Sequence, residues 1–182
     1  MKKIQVAVVF AVFIAVISLP YIIAASAAGD DFSFTGFLMN PGDGSSYLAK
    51  MQQGFQGKWT FTLPFTAEPG EGVYLFLAYL FLGHLARVSG LELLVVFHLA
   101  RVISAVFMLW EAYQLARSAL RDERLAGYAL ILLAFGSGAG WLIVAFGALT
   151  SDFWVAEAYP FLSAYTNTHF PLGLGLMFWI LR

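Results

Sequence analysis

The run from Ile4 to Ala28 contains no charged residue, and this constrains the fold more than any other feature of the chain. Backbone N–H and C=O groups carried into hydrocarbon must be satisfied within the structure, which for one continuous segment means an α-helix. About 20 residues of helix cross a bilayer core, and this run reaches that length. Met1-Lys2-Lys3 precedes it, and Ala25-Ser26-Ala27 resembles a small-residue cleavage site, so a secretory signal is the competing reading. The apolar core of a signal usually runs about 7–15 residues, so a retained transmembrane anchor is expected. Lys2 and Lys3 then place the N-terminus in the cytoplasm by the positive-inside rule.

Long apolar blocks recur at Leu91–Leu115, which carries Glu92, Arg101 and Glu111, and at Leu125–Thr150, and a further apolar helix starts near His169 and runs to Arg182. Hydrophobic residues make up 60% of the 182 and charged residues 12%, against about 25% charged in soluble domains. The expected fold is therefore all-α: a polytopic transmembrane helical bundle in a single membrane domain, 1–182. Spans are expected at about 4–28, 91–115 and 125–150, with an incomplete one at 170–182. Outer loops are expected at 29–90 and 151–169. The chain reads as the N-terminal part of a larger bundle in the cell membrane. A net charge of −1 argues against a nucleic-acid partner. The absence of cysteine excludes disulfides, thiolate metal sites and a cysteine nucleophile.

Topology turns on Val73–Val88. Its apolar core before His84 is about 10 residues, short for a span. If it spans, Arg117, Arg121 and Arg124 fall outside, against the positive-inside rule. If it lies as an interfacial juxtamembrane helix in the first outer loop, those arginines join Lys2, Lys3 and Arg182 inside, while Asp43, Glu68, Glu71, Asp152 and Glu157 lie outside. The rule favours the second layout. Two acidic loops then share one outer face, and Asp43 is expected near Asp152 or Glu157. Within the first loop, Ser45–Phe55 is expected to form a short helix with Asp43 or Ser45 near its N-cap.

Each polar candidate carries a functional and a plain reading. Asp43, between Gly42 and Gly44, is an accessible carboxylate or a turn residue. Glu68 and Glu71 are possible site carboxylates or simply acids at the start of a helix. Arg101 lies deep in an apolar block, where a cation costs roughly 2.5–3.5 kcal/mol. It suits a lipid phosphate, or it snorkels or pairs with Glu92 or Glu111. Asp152 and Glu157, with Asp43, offer oxygen ligands for a divalent cation such as Mg or Mn, or belong to a solvated loop. His169 is a substrate-binding or an interfacial histidine. Gly136-Ser137-Gly138-Ala139-Gly140 is expected to let helices approach closely in mid-membrane.

Several of these features together carry a family resemblance. They are Gly42-Asp43-Gly44-Ser45-Ser46-Tyr47-Leu48, Gly54-Phe55-Gln56-Gly57-Lys58-Trp59, Glu68-Pro69-Gly70-Glu71-Gly72, Arg101, the basic turn Arg117–Arg124, and Asp152. In this order they resemble the N-terminal part of the GT-C superfamily of polyprenyl-phosphate-sugar-dependent membrane glycosyltransferases, of the protein mannosyltransferase and aminoarabinose transferase type. Gly44 stands where the family often has a second acid, and Glu68-Pro69-Gly70 replaces its His-Pro-Pro. The resemblance implies sugar transfer from a polyprenyl-phosphate donor to a protein or lipid acceptor at the outer face. It implies Asp43 as the catalytic carboxylate, Arg101 on the donor phosphate, and Asp152 as the acid that follows the third span; Glu157 and His169 stand beside Asp152 as candidates toward a cation or the acceptor. A non-enzymatic membrane subunit and a transporter fragment are the rival classes.

Overall fold

The computed structural model describes residues 3–28 and 32–182, and the side chains of all of these but 139, 141 and 145. Lys2, which bears on the N-terminal orientation, and the start of the first outer loop at 29–31 lie outside the described residues. The expected all-α class holds. The described residues form seven α-helices: α1 Lys3–Ala27, α2 Pro41–Phe55, α3 Leu77–Ser89, α4 Leu93–Leu120, α5 Glu123–Phe135, α6 Pro160–Thr166 and α7 His169–Leu181. The β structure among the described residues is one isolated antiparallel bridge, Phe61 to Val73. Two helices, α1 and α4, are long and apolar enough to cross a membrane. The chain divides into two compact units, one of residues 1–31 with 101–182 and one of residues 32–100.

In the first unit, Phe13 and Ile17 of α1 pack with Ala105, Met108 and Leu109 of α4, Ala126, Leu130 and Ala134 of α5, and Ala164 of α6. The buried positions of α1, Val6, Phe13, Ile17 and Tyr21, recur at helical spacing and form one stripe. Its other faces are apolar too, with Val8, Val12, Val16, Leu19 and Ile23 exposed. On α4, Leu99, Ile103, Val106 and Trp110 are likewise exposed. Helices apolar on every side need lipid or further protein around them.

The carboxylate of Asp122 opens α5 by accepting from the Leu125 N–H at 3.0 Å and the Arg124 N–H at 2.6 Å. These backbone donors hold it below the usual carboxylate range. The apolar run over 125–150, expected as one helix, is α-helical only to Phe135. Beyond it lie four short 3-10 turns, Ala139–Leu142, Val144–Phe146, Ser151–Phe153 and Ala156–Ala158. Three glycines within 136–140 explain the break, because each costs a helix about 1 kcal/mol relative to alanine.

The second unit is built on α2 against α3. Gly54 and Gly83 bring the two backbones together: a Cβ on Gly54 would collide with the Leu80 carbonyl, and one on Gly83 with the Met51 carbonyl. Phe37, Met51, Tyr79, Ala86, Val96 and Phe97 form the core. The Gln53 amide clamps the connecting loop, donating to the Thr62 carbonyl at 2.8 Å and accepting from the Thr62 N–H at 2.9 Å. Helix α2 begins earlier than expected, with Pro41 in its first turn and Asn40 at the N-cap with φ 48° and no side-chain capping bond. Asp43 is thus a first-turn residue and Ser45 lies inside the helix, so neither is the cap; a proline preset for the first helical position moves the start upstream. Gly90, at φ 71°, closes α3 with its N–H on the Ala86 carbonyl, a left-handed cap suited to glycine. Only Leu91 and Glu92 then separate it from α4.

The Gly54 contact is testable. Gly54→Val must push α2 from α3, and overpacking of this kind costs about 1–3 kcal/mol or more. Thermal unfolding of the detergent-purified variant is expected to show a clearly lowered midpoint; a midpoint equal to the parent's refutes the close-contact reading.

Candidate functional site

The candidate residues fall in both units. Asp43, Glu68 and Glu71 belong to the second, and Arg101, Asp152, Glu157 and His169 to the first.

Arg101 is the largest fully buried side chain among the described residues, at 1% exposure. Its Nη1 donates to the carbonyls of Ile17 at 3.1 Å, Ala164 at 2.9 Å and Tyr165 at 3.3 Å. Its guanidinium carbon lies 4.5 Å from the centroid of the Tyr21 ring, and the Tyr21 hydroxyl donates to the Tyr165 carbonyl at 2.7 Å. The sequence explains why carbonyls are on offer. On α1, Pro20 lacks the N–H that would bond the Val16 carbonyl; the Ile17 carbonyl, whose helical donor position is Tyr21, takes Arg101 on its second lone pair. Ala164 and Tyr165 are in the last turn of α6, where carbonyls have no helical partner and attract cations. Burial at 1% leaves no room for snorkelling, and the expected pairing with Glu111 gives way. Glu111 instead meets Arg182, Oε2 to Nη1 at 3.0 Å. A donor-phosphate role asks for a reachable guanidinium, and in this arrangement the side chain is enclosed by protein.

Asp43 is exposed in the first turn of α2. Ser46 and Lys50 follow it at three and seven residues, placing all three on one helix face. Sequence reasoning passed over Lys50. It is 9% exposed, and its Nζ donates to the Ser46 hydroxyl at 2.8 Å. Ring centroids lie 4.3 Å away at Phe76, 5.1 Å at Tyr47 and 5.9 Å at Tyr79. Tyr47 and Tyr79 stack at 4.8 Å with planes 3° apart. Burial pushes the ammonium below the usual lysine range, and Asp43 partly restores it. Such ring contacts are worth about 0.5–2 kcal/mol each, against a desolvation cost of several kcal/mol for an ion. The only advance signal was the position of Lys50 seven residues after Asp43 in an otherwise weakly charged segment.

Asp152 is held by the glycine segment. The Gly140 N–H donates to its Oδ2 at 3.0 Å, and the Thr150 hydroxyl donates to Oδ1. The Thr150 bond and then the Gly140 N–H keep its carboxyl below the usual range. A Cβ on Gly138 would also meet the Asp152 carboxyl, at 2.9 Å. The glycines expected to pack helix on helix instead make room for a carboxylate, because the chain there is not α-helical. Glu157 is exposed in a 3-10 turn. His169 opens α7 with its ring 4.1 Å from that of Phe170. Glu68 and Glu71 are exposed in the loop ahead of α3, outside its first turn. No three or more His, Asp or Glu side chains gather as metal ligands among the described residues. No family model, curated protein or solved structure matches the chain.

Two outcomes follow. Arg101→Met leaves buried carbonyls without their donor, at about 1–3 kcal/mol for each. Thermal melts should show a loss of several degrees or more, only partly recovered in Arg101→Lys, which lacks the planar fork. For Asp152, the folded value lies below the ordinary 3.8. Its contribution is therefore complete above that pH and is lost as pH falls through the lower folded value. Hydrogen exchange at the Gly140 amide, corrected for intrinsic rate, should stay slow above about pH 4 and quicken below it. In Asp152→Ala it should be fast throughout.

Proposed function

We propose that the chain is the outer-face lobe and first helices of a GT-C type membrane glycosyltransferase, moving a sugar from a polyprenyl-phosphate donor to a protein or lipid acceptor. The observation that carries the reading is the position of Asp43. It is an exposed carboxylate in the first turn of α2, on a unit that follows α1 in the sequence and runs directly into α4, the two helices among the described residues able to cross a membrane. In this reading α1 and α4 span the cell membrane, with the N-terminus and the Arg117–Arg124 turn cytoplasmic. Helix α3 lies in the outer interface, its apolar side chains Leu77, Phe81, Leu85 and Val88 exposed along one stripe, as an interfacial helix requires.

The chemistry is a displacement. The acceptor hydroxyl attacks the anomeric carbon and its proton passes to the Asp43 carboxylate. The bond from that carbon to the phosphate oxygen breaks, and its electron pair leaves on the phosphate, which needs positive charge nearby as it departs. Asp152, Glu157 and His169 remain candidates for the acceptor side. A second reading, a non-enzymatic membrane subunit, draws on the engagement of Arg101 and Asp152 within the fold.

Two measurements separate these readings. Membranes carrying Asp43→Asn should lose transfer from a polyprenyl-phosphate sugar by about a hundredfold or more, with unchanged protein abundance. Undiminished transfer rejects Asp43, and absence of transfer by the parent protein favours the subunit. Cysteines introduced at positions 43 and 152 should label from outside and one at 121 only after permeabilisation; external labelling of 121 together with 43 removes the topology on which the reading stands.

A further inference from the structure

We propose that Lys50 binds a phosphate group, which enters over Ser46 and displaces the ring of Phe76. Within the transferase reading, on which its assignment to the donor rests, that phosphate belongs to the polyprenyl-phosphate sugar. Lys50 is the one buried charged side chain among the described residues of the second unit. No carboxylate of a described residue lies within ion-pairing distance of it; a hydroxyl and three aromatic faces surround it instead. A buried ammonium so placed gains from an arriving anion. The lowering of its proton affinity by burial points the same way.

The route to it is built into α2. Asp43 is exposed, Ser46 is half-buried and Lys50 is buried, in a column down one helix face. At the bottom Phe76 stands nearest the ammonium, at 4.3 Å. Phe76 is also strained: its φ is 56°, a left-handed conformation unusual for a bulky residue, and such outliers concentrate at ligand clamps and switches. It is 45% exposed and packs edge-to-face on Phe61 at 5.0 Å, so a swing of its ring from Lys50 toward solvent gives up that one ring contact. An ammonium is a compact point charge that suits phosphate oxygens. The Ser46 hydroxyl, now an acceptor from Lys50, has a hydrogen to donate to the same oxygens. This places phosphate recognition seven residues from the proposed base, and gives the leaving group the cation that Arg101, enclosed by carbonyls, does not present.

The test is equilibrium binding to the full chain in nonionic detergent, using a radiolabelled polyprenyl monophosphate and the parent polyprenol. Lys50→Met should weaken binding of the phosphate lipid by about tenfold or more and leave the polyprenol unaffected. Lys50→Arg should retain most of the affinity, and Phe76→Ala, which removes the covering ring, should tighten it several-fold. Competition by inorganic phosphate supports a site for the bare group, and its failure to compete supports a site for the lipid headgroup. Equal binding by Lys50→Met and parent overturns the proposal. So does an equal loss of polyprenol in Lys50→Met, or a Phe76→Ala affinity no tighter than the parent's. Should Lys50→Met fold poorly, Phe76→Ala and Lys50→Arg still decide. Lys50-dependent phosphate binding in a protein that transfers no sugar refutes the transferase reading and leaves this site standing.

Discussion

A single guanidinium organises the first unit. Arg101 occupies the middle of an apolar stretch, where an unpartnered cation is costly, and it is enclosed by carbonyls from α1 and α6. The α6 carbonyls are available for a local reason: the helix ends where Ala164 and Tyr165 have no helical partner. The Ile17 carbonyl of α1 accepts on its second lone pair. The arginine thus answers a deficit that α6 creates and ties it to α1. The Tyr21 ring over the guanidinium and the Tyr21 hydroxyl on the Tyr165 carbonyl complete the closure. Among the described residues α1 and α4 are the two helices long and apolar enough to cross a membrane, and this polar tie joins them; in the membrane reading proposed above, hydrophobicity alone gives such helices little reason to prefer one another.

The second unit solves a different problem. Its two helices meet through glycine, so backbone lies on backbone, and its buried cation has rings and a hydroxyl for neighbours. Lys50 and Arg101 are both buried cations, yet their surroundings differ in kind. Arg101 faces fixed backbone dipoles that cannot leave. Lys50 faces a hydroxyl that can turn and a strained phenylalanine at the lobe's surface. The first arrangement suits a permanent structural tie; the second suits a site that exchanges partners.

The glycine-rich segment shows how one pattern serves two purposes. Small residues four apart permit close helix packing when the chain is helical. Here α5 ends at Phe135, and the same small residues free a backbone N–H and the space for the Asp152 carboxyl. Glycine's low helix propensity and its lack of a side chain both contribute, and periodicity alone does not distinguish the two uses.

What the sequence determined by itself was whatever depends on composition over a long window. The uncharged run after Lys3 and the block before Arg117 could only be helices, and the all-α class follows. The exposure of Asp43, Glu157, Glu68 and Glu71 was legible as well, since isolated carboxylates among glycine and proline seldom bury. Tertiary structure decided where individual polar side chains found partners. That Arg101 would meet backbone carbonyls depends on residues 63 and 84 positions away. The burial of Lys50 depends on Phe76 and Tyr79 arriving from the next helix. The physical reason is range: burying apolar surface is non-directional and sums along the local sequence, whereas a hydrogen bond or a buried charge is satisfied only by specific atoms that distant segments bring within a few ångströms.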